Sequence, residues 1–68
     1  MGDVEYMSRI QPPRRGDLLF VRLDRALKTG EAAGQEKGFL IVVPNGTVGE
    51  TVKARVVEVH ENYAVAMR

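Results

Sequence analysis

Residues 38–44, Gly38-Phe39-Leu40-Ile41-Val42-Val43-Pro44, constrain the fold more than any other stretch. Five apolar residues stand between a glycine and a proline, and a second turn signal, Asn45-Gly46, follows at once. An apolar run of that length between turn residues reads as a fully buried strand around which the rest of a short chain is built. The chain has 68 residues, which makes one domain at most. A domain of that size buries only about 60% of its unfolded surface, too little for a core that also encloses a catalytic cavity. There is no cysteine, so neither disulfides nor zinc–thiolate sites hold it together. No apolar stretch approaches a membrane span, and residues 1–15 carry nothing like a signal peptide. The expectation is a soluble, cytoplasmic chain acting as a monomer, with no membrane partner.

Residues 1–15 read as a flexible N-terminal arm, with Arg9, Arg14 and Arg15 and two prolines that cannot donate to a sheet. Residues 16–68 form the domain. After the turn Gly16-Asp17, residues 18–25 alternate: Leu19, Val21 and Leu23 face the core, and Leu18, Phe20, Arg22 and Asp24 face outward. Outward Phe20 is either covered by another part of the barrel or left exposed. Residues 26–38 have little to bury and predict a short, irregular second strand near 31–36 between flexible turns, with Lys28 and Lys37 at its two ends. The third strand is 38–43. A loop with Gly46 and Gly49, both suited to positive φ, leads to a fourth strand over 51–60. There Val52, Ala54 and Val56 point inward and Lys53 and Arg55 outward, and the phase slips at Val57 as at a bulge. Glu61-Asn62 turns the chain into a fifth strand from Tyr63 to Met67. Five short strands with glycine-rich turns predict an all-β, small five-stranded antiparallel barrel, OB-like or SH3-like.

The residue inventory argues against catalysis. His60 is the only histidine and has no cysteine partner, Ser8 is the only serine and sits in the arm, and the acids form no metal-ligand spacing with His60. Gly30 to Gly38 lacks a phosphate-loop ending. No catalytic residue, metal or cofactor is expected. Unspecific binding of single-stranded nucleic acid needs basic groups plus aromatic faces on which bases stack. Ten basic residues against nine acidic give a net charge of +1, so any such binding must come from arrangement, not total charge. Arg22, Lys53 and Arg55 would line one surface if the first and fourth strands are neighbours, and Lys28 and Lys37 could close on a backbone phosphate. The alternative is a solvated charged face with Asp24, Glu36 and Glu58 as partners. Phe39 and Tyr63 are each either core residues or base platforms, and His60 is a surface residue or a stacking accessory.

From residue 16 to 67, and best over 38–66, the chain resembles the TRAM domain, a small β-barrel module of tRNA-modifying enzymes that also occurs as free-standing archaeal proteins. The residues that carry the resemblance are Gly38-Phe39, the apolar run into Pro44, Gly49-Glu50, the valine-and-basic strand Val52 to Val59, and Tyr63-Ala64-Val65-Ala66. More loosely, Gly16-Asp17, Lys28, Gly30 and Glu31 match as well. Val42 departs where the family commonly has phenylalanine, and Ala32-Ala33-Gly34-Gln35-Glu36 departs from the family's second strand, which predicts a more polar, less well packed strand here. The resemblance implies a non-catalytic RNA-binding protein, similar to the cold-shock-like RNA chaperones of archaea, that binds single-stranded RNA (tRNA, rRNA or mRNA) with low sequence specificity. The binding residues would be Arg22, Lys28, Lys37, Phe39, Lys53, Arg55, His60 and Tyr63. Two alternatives are an SH3-like protein-interaction module docking through Leu18 and Phe20, and a TRAM domain cut from a tRNA- or rRNA-modifying enzyme. The Met1 start and an end just past the last strand read as a complete small protein.

Overall fold

A computed structural model describes residues 12–68; the expectations for Tyr6, Ser8, Arg9 and the rest of 1–11 lie outside the described residues. Among the described residues there are strands and turns but no helix. The strands are β1 (Leu18–Arg22), β2 (Arg25–Ala26), β3 (Ala32–Glu36), β4 (Phe39–Val43), β5 (Thr51–Val59) and β6 (Tyr63–Met67). They form one six-stranded sheet in the order β1-β5-β6-β4-β3-β2.

The two ends of that order are the same stretch of chain. Only Leu23 and Asp24 separate β1 from β2, and their amides turn opposite ways. Leu23 N–H donates to the Glu50 carbonyl on the β5 side (2.8 Å), and Asp24 N–H donates to the Ala33 carbonyl on β3 (2.9 Å). One bent strand thus pairs with β5 along its first half and β3 along its second, and the sheet curls into an OB-like barrel. Four of the five pairings are antiparallel; β4 and β6 pair parallel, with Leu40 opposite Tyr63 and Val42 opposite Val65. A parallel pair needs a long crossover, and here β5 is part of it.

Alternation decides what is buried. Val21, Leu23, Ile41, Val43, Val56, Ala64 and Ala66 are essentially sealed from water, joined by Ala32, Phe39, Val52 and Ala54, with Leu19 packed against them. The slip expected at Val57 is a bulge: Val56 pairs with Ala66, but Glu58, not Val57, pairs with Val65.

Residues 32–36 differ from the sequence reading. The segment is a regular strand in full register with β4, and Ala32, Ala33 and Gly34 are all buried. At Gly34 a side chain has no room, because β1 crosses close over it. A Cβ on Gly34 would lie 2.0 Å from the Arg22 carbonyl oxygen. What looked like a segment with little to bury is where the barrel closes. The two family departures also meet, since Ala33 stands opposite Val42 in register. The connection to β4 is equally specific. Glu36 pairs with Phe39 across a two-residue turn in which Lys37 (φ 53°) and Gly38 (φ 84°) are both left-handed, the signature of a type I′ hairpin. In the 44–50 loop only Gly49 has positive φ (99°). Gly46 is constrained instead by the Leu23 side chain, whose Cδ1 a Cβ would meet at 2.3 Å.

Candidate nucleic-acid interface

The β1–β5 register assembles the first group of residues. Leu18 stands opposite Arg55, Phe20 opposite Lys53 and Arg22 opposite Thr51. These positions alternate with buried Val21, Val52 and Ala54, so all six side chains point away from the core. Arg22, Lys53 and Arg55 therefore share one exposed face, as the alternation predicts once β1 and β5 are neighbours. Of the three acids expected to neutralise that face, Asp24 pairs with Arg25 (3.2 Å) and Glu58 meets His60 (2.9 Å), while Glu36 makes no ion pair among the described residues. Arg55 donates from Nη1 to the Gly16 carbonyl (2.8 Å), which fixes the guanidinium at the edge of the face. Among the described residues, Arg22 and Lys53 make no ion pair.

Phe20 is the residue that sequence reasoning left out of the binding set. It is 65% exposed, the most of any large apolar side chain described, so no part of the barrel covers it. The Lys53 ammonium lies over its ring, 5.9 Å from the centroid, within cation–π range. The signal was present in the alternation, which set Phe20 outward between Leu18 and Arg22. What it lacked was the identity of the cross-strand neighbour.

A second group forms at the β5–β6 turn. His60 and Tyr63 stack, with ring centroids 4.5 Å apart and planes at 20°. The turn holds them together: His60 N–H donates to the Tyr63 carbonyl (2.7 Å), and His60 Nε2 meets Glu58 Oε1 at 2.9 Å. Tyr63 is 37% exposed, so the pair presents an aromatic surface to solvent. A groove runs beside it between Pro13–Arg15 and Val57–His60. The Lys37-Gly38 turn lies at this same end of the barrel, because β4 and β6 run parallel from it.

Three other candidates are Phe39, Lys28 and Lys37. Phe39 is 6% exposed and belongs to the core cluster, so its ring has no face free for a base. It pairs with Glu36 just after the hairpin turn, at a position whose side chain alternates inward with Ile41 and Val43. Lys28 and Lys37 flank β3 on opposite sides. β3 is an extended strand of five residues, roughly 16 Å long, and the two lysines lie beyond its opposite ends.

At the Lys28 end a third charged cluster is structural. Arg68 donates from Nη1 to both Glu50 oxygens (2.9 and 3.0 Å), and Glu50 also accepts from the Thr47 amide (2.9 Å). These bonds, Arg68 first and Thr47 next, hold the Glu50 carboxyl below its ordinary range. They pin the C-terminus onto the 44–50 loop. Among the described residues no group of three or more His, Asp or Glu side chains could hold a metal ion.

The chain is similar to known proteins in sequence and in fold. The pattern that defines the TRAM domain matches residues 15–67. The ribosomal RNA large subunit methyltransferase E of Methanocella arvoryzae is 32% identical over 53 residues, 78% of this chain. The chain spans only 21% of that methyltransferase's length. The solution structure of a conserved protein of Methanococcus maripaludis superposes with a TM-score of 0.79 at 29% identity, covering 85% of this chain and 83% of that one.

Proposed function

The chain belongs to the TRAM domain family, and from that premise we propose that it binds single-stranded RNA, without catalysis and with little sequence preference, as an RNA chaperone of the cold-shock type. The observation that carries this reading is the β1–β5 register, which gathers Arg22, Lys53 and Arg55 on one exposed face of a chain whose net charge is only +1. Three phosphate contacts on a single strand give a salt slope of about −2, enough for binding at low salt and rapid release at high salt. Such binding holds unpaired strands and shifts mispaired helices toward the open form. By analogy with other OB folds, which bind through the loop between their last two strands, the His60–Tyr63 stack stands where a base would be received.

The test is a titration of the nitrogen-15-labelled protein with an oligouridylate at low salt. Amide shifts are expected along β1, β5 and the 60–63 turn, and the absence of any shift would sink the reading. A self-quenched RNA hairpin that opens faster with the protein than without it tests the chaperone activity. A second reading has its own support in the methyltransferase relative, whose name states that it acts on ribosomal RNA: this module serves as the RNA-binding part of a larger RNA-modifying protein. The two readings share the interface and differ in the hairpin assay.

A further inference from the structure

The RNA-binding reading leaves two things unassigned: the most exposed aromatic ring described, and the length of strand the domain takes. We propose that Phe20 is a base-stacking platform, and that with the His60–Tyr63 stack it marks the two ends of a track along β5 that takes four to six unpaired nucleotides. The proposal rests on the RNA-binding reading and goes beyond it by naming the platform, the path and the length.

Apart from the Lys53 ammonium over its ring, Phe20 has no packing that would call for an aromatic where it stands. At 65% exposure it forgoes most of the burial that would stabilise a core phenylalanine, and its neighbours on the face are Lys53, Arg22 and half-exposed Leu18. A ring standing in water beside cations is what an unspecific single-strand site needs, because every base has a π-face and every nucleotide a phosphate. The cations also decide between occupants. An apolar protein partner would have to desolvate Lys53 and Arg22, whereas a polyanion gains from both.

The track follows from register. Lys53, opposite Phe20, is seven positions before His60 on the same strand. That is about 20 Å of extended chain once the Val57 bulge is allowed for. Arg55 lies between them on the outer face, followed by Glu58, whose carboxylate meets His60. At the stacked rise of ~3.4 Å per nucleotide the span corresponds to about six nucleotides. It falls to about four, the small end of OB-fold site sizes, when bases are splayed onto separate aromatics.

Oligouridylates of two to twelve nucleotides test the length. Affinity for the parent protein is expected to climb steeply up to four to six nucleotides and to level beyond. Phe20→Ala is expected to weaken binding of the six-mer by roughly 5- to 150-fold, the loss of one stacked base, and to leave dimers and trimers little changed. The substituted side chain is exposed, so the fold is retained, which far-UV circular dichroism verifies. The chain contains no tryptophan, so Phe20→Trp installs a single reporter at the platform. It should keep the affinity and be quenched by the six-mer. If Phe20→Ala binds the six-mer as tightly as the parent and Phe20→Trp shows no quenching, the proposal is overturned while RNA binding stands, and Phe20 becomes a protein-docking surface. If no oligouridylate binds the parent, the RNA reading falls and the platform with it.

Discussion

Gly34→Ala is the most severe test of how this barrel closes. Elsewhere in a strand the change would be mildly favourable, because alanine restricts the unfolded chain by about 0.4–1 kcal/mol relative to glycine. Gly34 does not have a positive φ, so the backbone itself would accept alanine. The obstacle is steric and comes from 12 positions away in sequence. The new Cβ would sit 2.0 Å from the Arg22 carbonyl oxygen and 2.9 Å from both its carbonyl carbon and Val21 Cγ1. Two of those atoms are backbone in a paired strand and cannot swing aside. To regain ordinary contact at 3.4 Å, the strands must part by more than an ångström at the one place where the bent strand passes from β5 to β3. Overpacking costs about 1–3 kcal/mol. Losing the Asp24–Ala33 backbone bond beside it adds about 1 kcal/mol. After the unfolded-chain gain is subtracted, a net loss of about 1–3.5 kcal/mol compares with a total stability of roughly 3–10 kcal/mol for a chain of this length. The melting temperature should fall by roughly 4–28 °C. Urea denaturation followed by far-UV circular dichroism measures the free energy, and a thermal scan measures the shift. Gly30→Ala is the control. Nothing lies within 4 Å of its Cβ, but its φ is +94°, so it should cost only the left-handed penalty of about 1–2 kcal/mol. If Gly34→Ala melts within a few degrees of the parent, or above it, the close crossing is not what shapes β3 and the account of closure is wrong.

Lys37→Asn should raise stability by about 0.5–1 kcal/mol, because asparagine tolerates the φ of 53° better and Asn-Gly is the preferred type I′ pair; an unchanged urea midpoint would contradict the turn assignment. The depressed Glu50 pKa makes that carboxylate a stabilising group at neutral pH. Its contribution is present above the ordinary value of 4.5 and lost as pH falls through the lower folded value. Glu50→Gln should therefore flatten the stability–pH curve below about pH 4.5, read from urea midpoints across the acid range. Lys53→Ala should weaken oligouridylate binding and reduce the magnitude of the salt slope by about 0.7 while leaving the fold intact, as fluorescence anisotropy across a salt series would show. A slope equal to the parent's would remove Lys53 from the phosphate contacts.

Where alternation spoke, the sequence was legible. Leu18–Arg22 and Thr51–Val56 have the faces their patterns require, and Tyr63–Met67 begins and ends where the polar turn and the apolar run say it should. The apolar run ahead of Pro44 is a buried strand, starting at Phe39 once Gly38 is given to the turn. The readings that changed all depend on partners distant in sequence. Ala32-Ala33-Gly34 looks weak until the Arg22 carbonyl is set above it. Leu23-Asp24 looks like a continuation of β1 until their amides are seen to bond to different neighbours. The candidate site divides the same way. Arg22, Lys53 and Arg55 needed only the guess that β1 and β5 pair. Separating Phe20 from Phe39, one ring in water and the other in the core, needed the curvature of the whole sheet.

The bent first strand also sets the order of events by which the chain reaches its shape. The β3–β4 hairpin closes through two residues, so it forms without waiting for anything else. β1 has no such local partner. Its pairing begins with Arg22 opposite Thr51, which encloses a loop of 28 intervening residues with a closure entropy of about 3 kcal/mol. The expectation is that β1, the first of the described strands, docks last. Substitutions that loosen it, Gly34→Ala among them, should act mainly by hastening unfolding, with little effect on the folding limb of a stopped-flow chevron. A slowed folding limb would place β1 in the nucleus instead. In the ordinary case the barrel opens from β1, which carries Phe20 and Arg22 away from Lys53 and Arg55 on β5 and so splits the cation face.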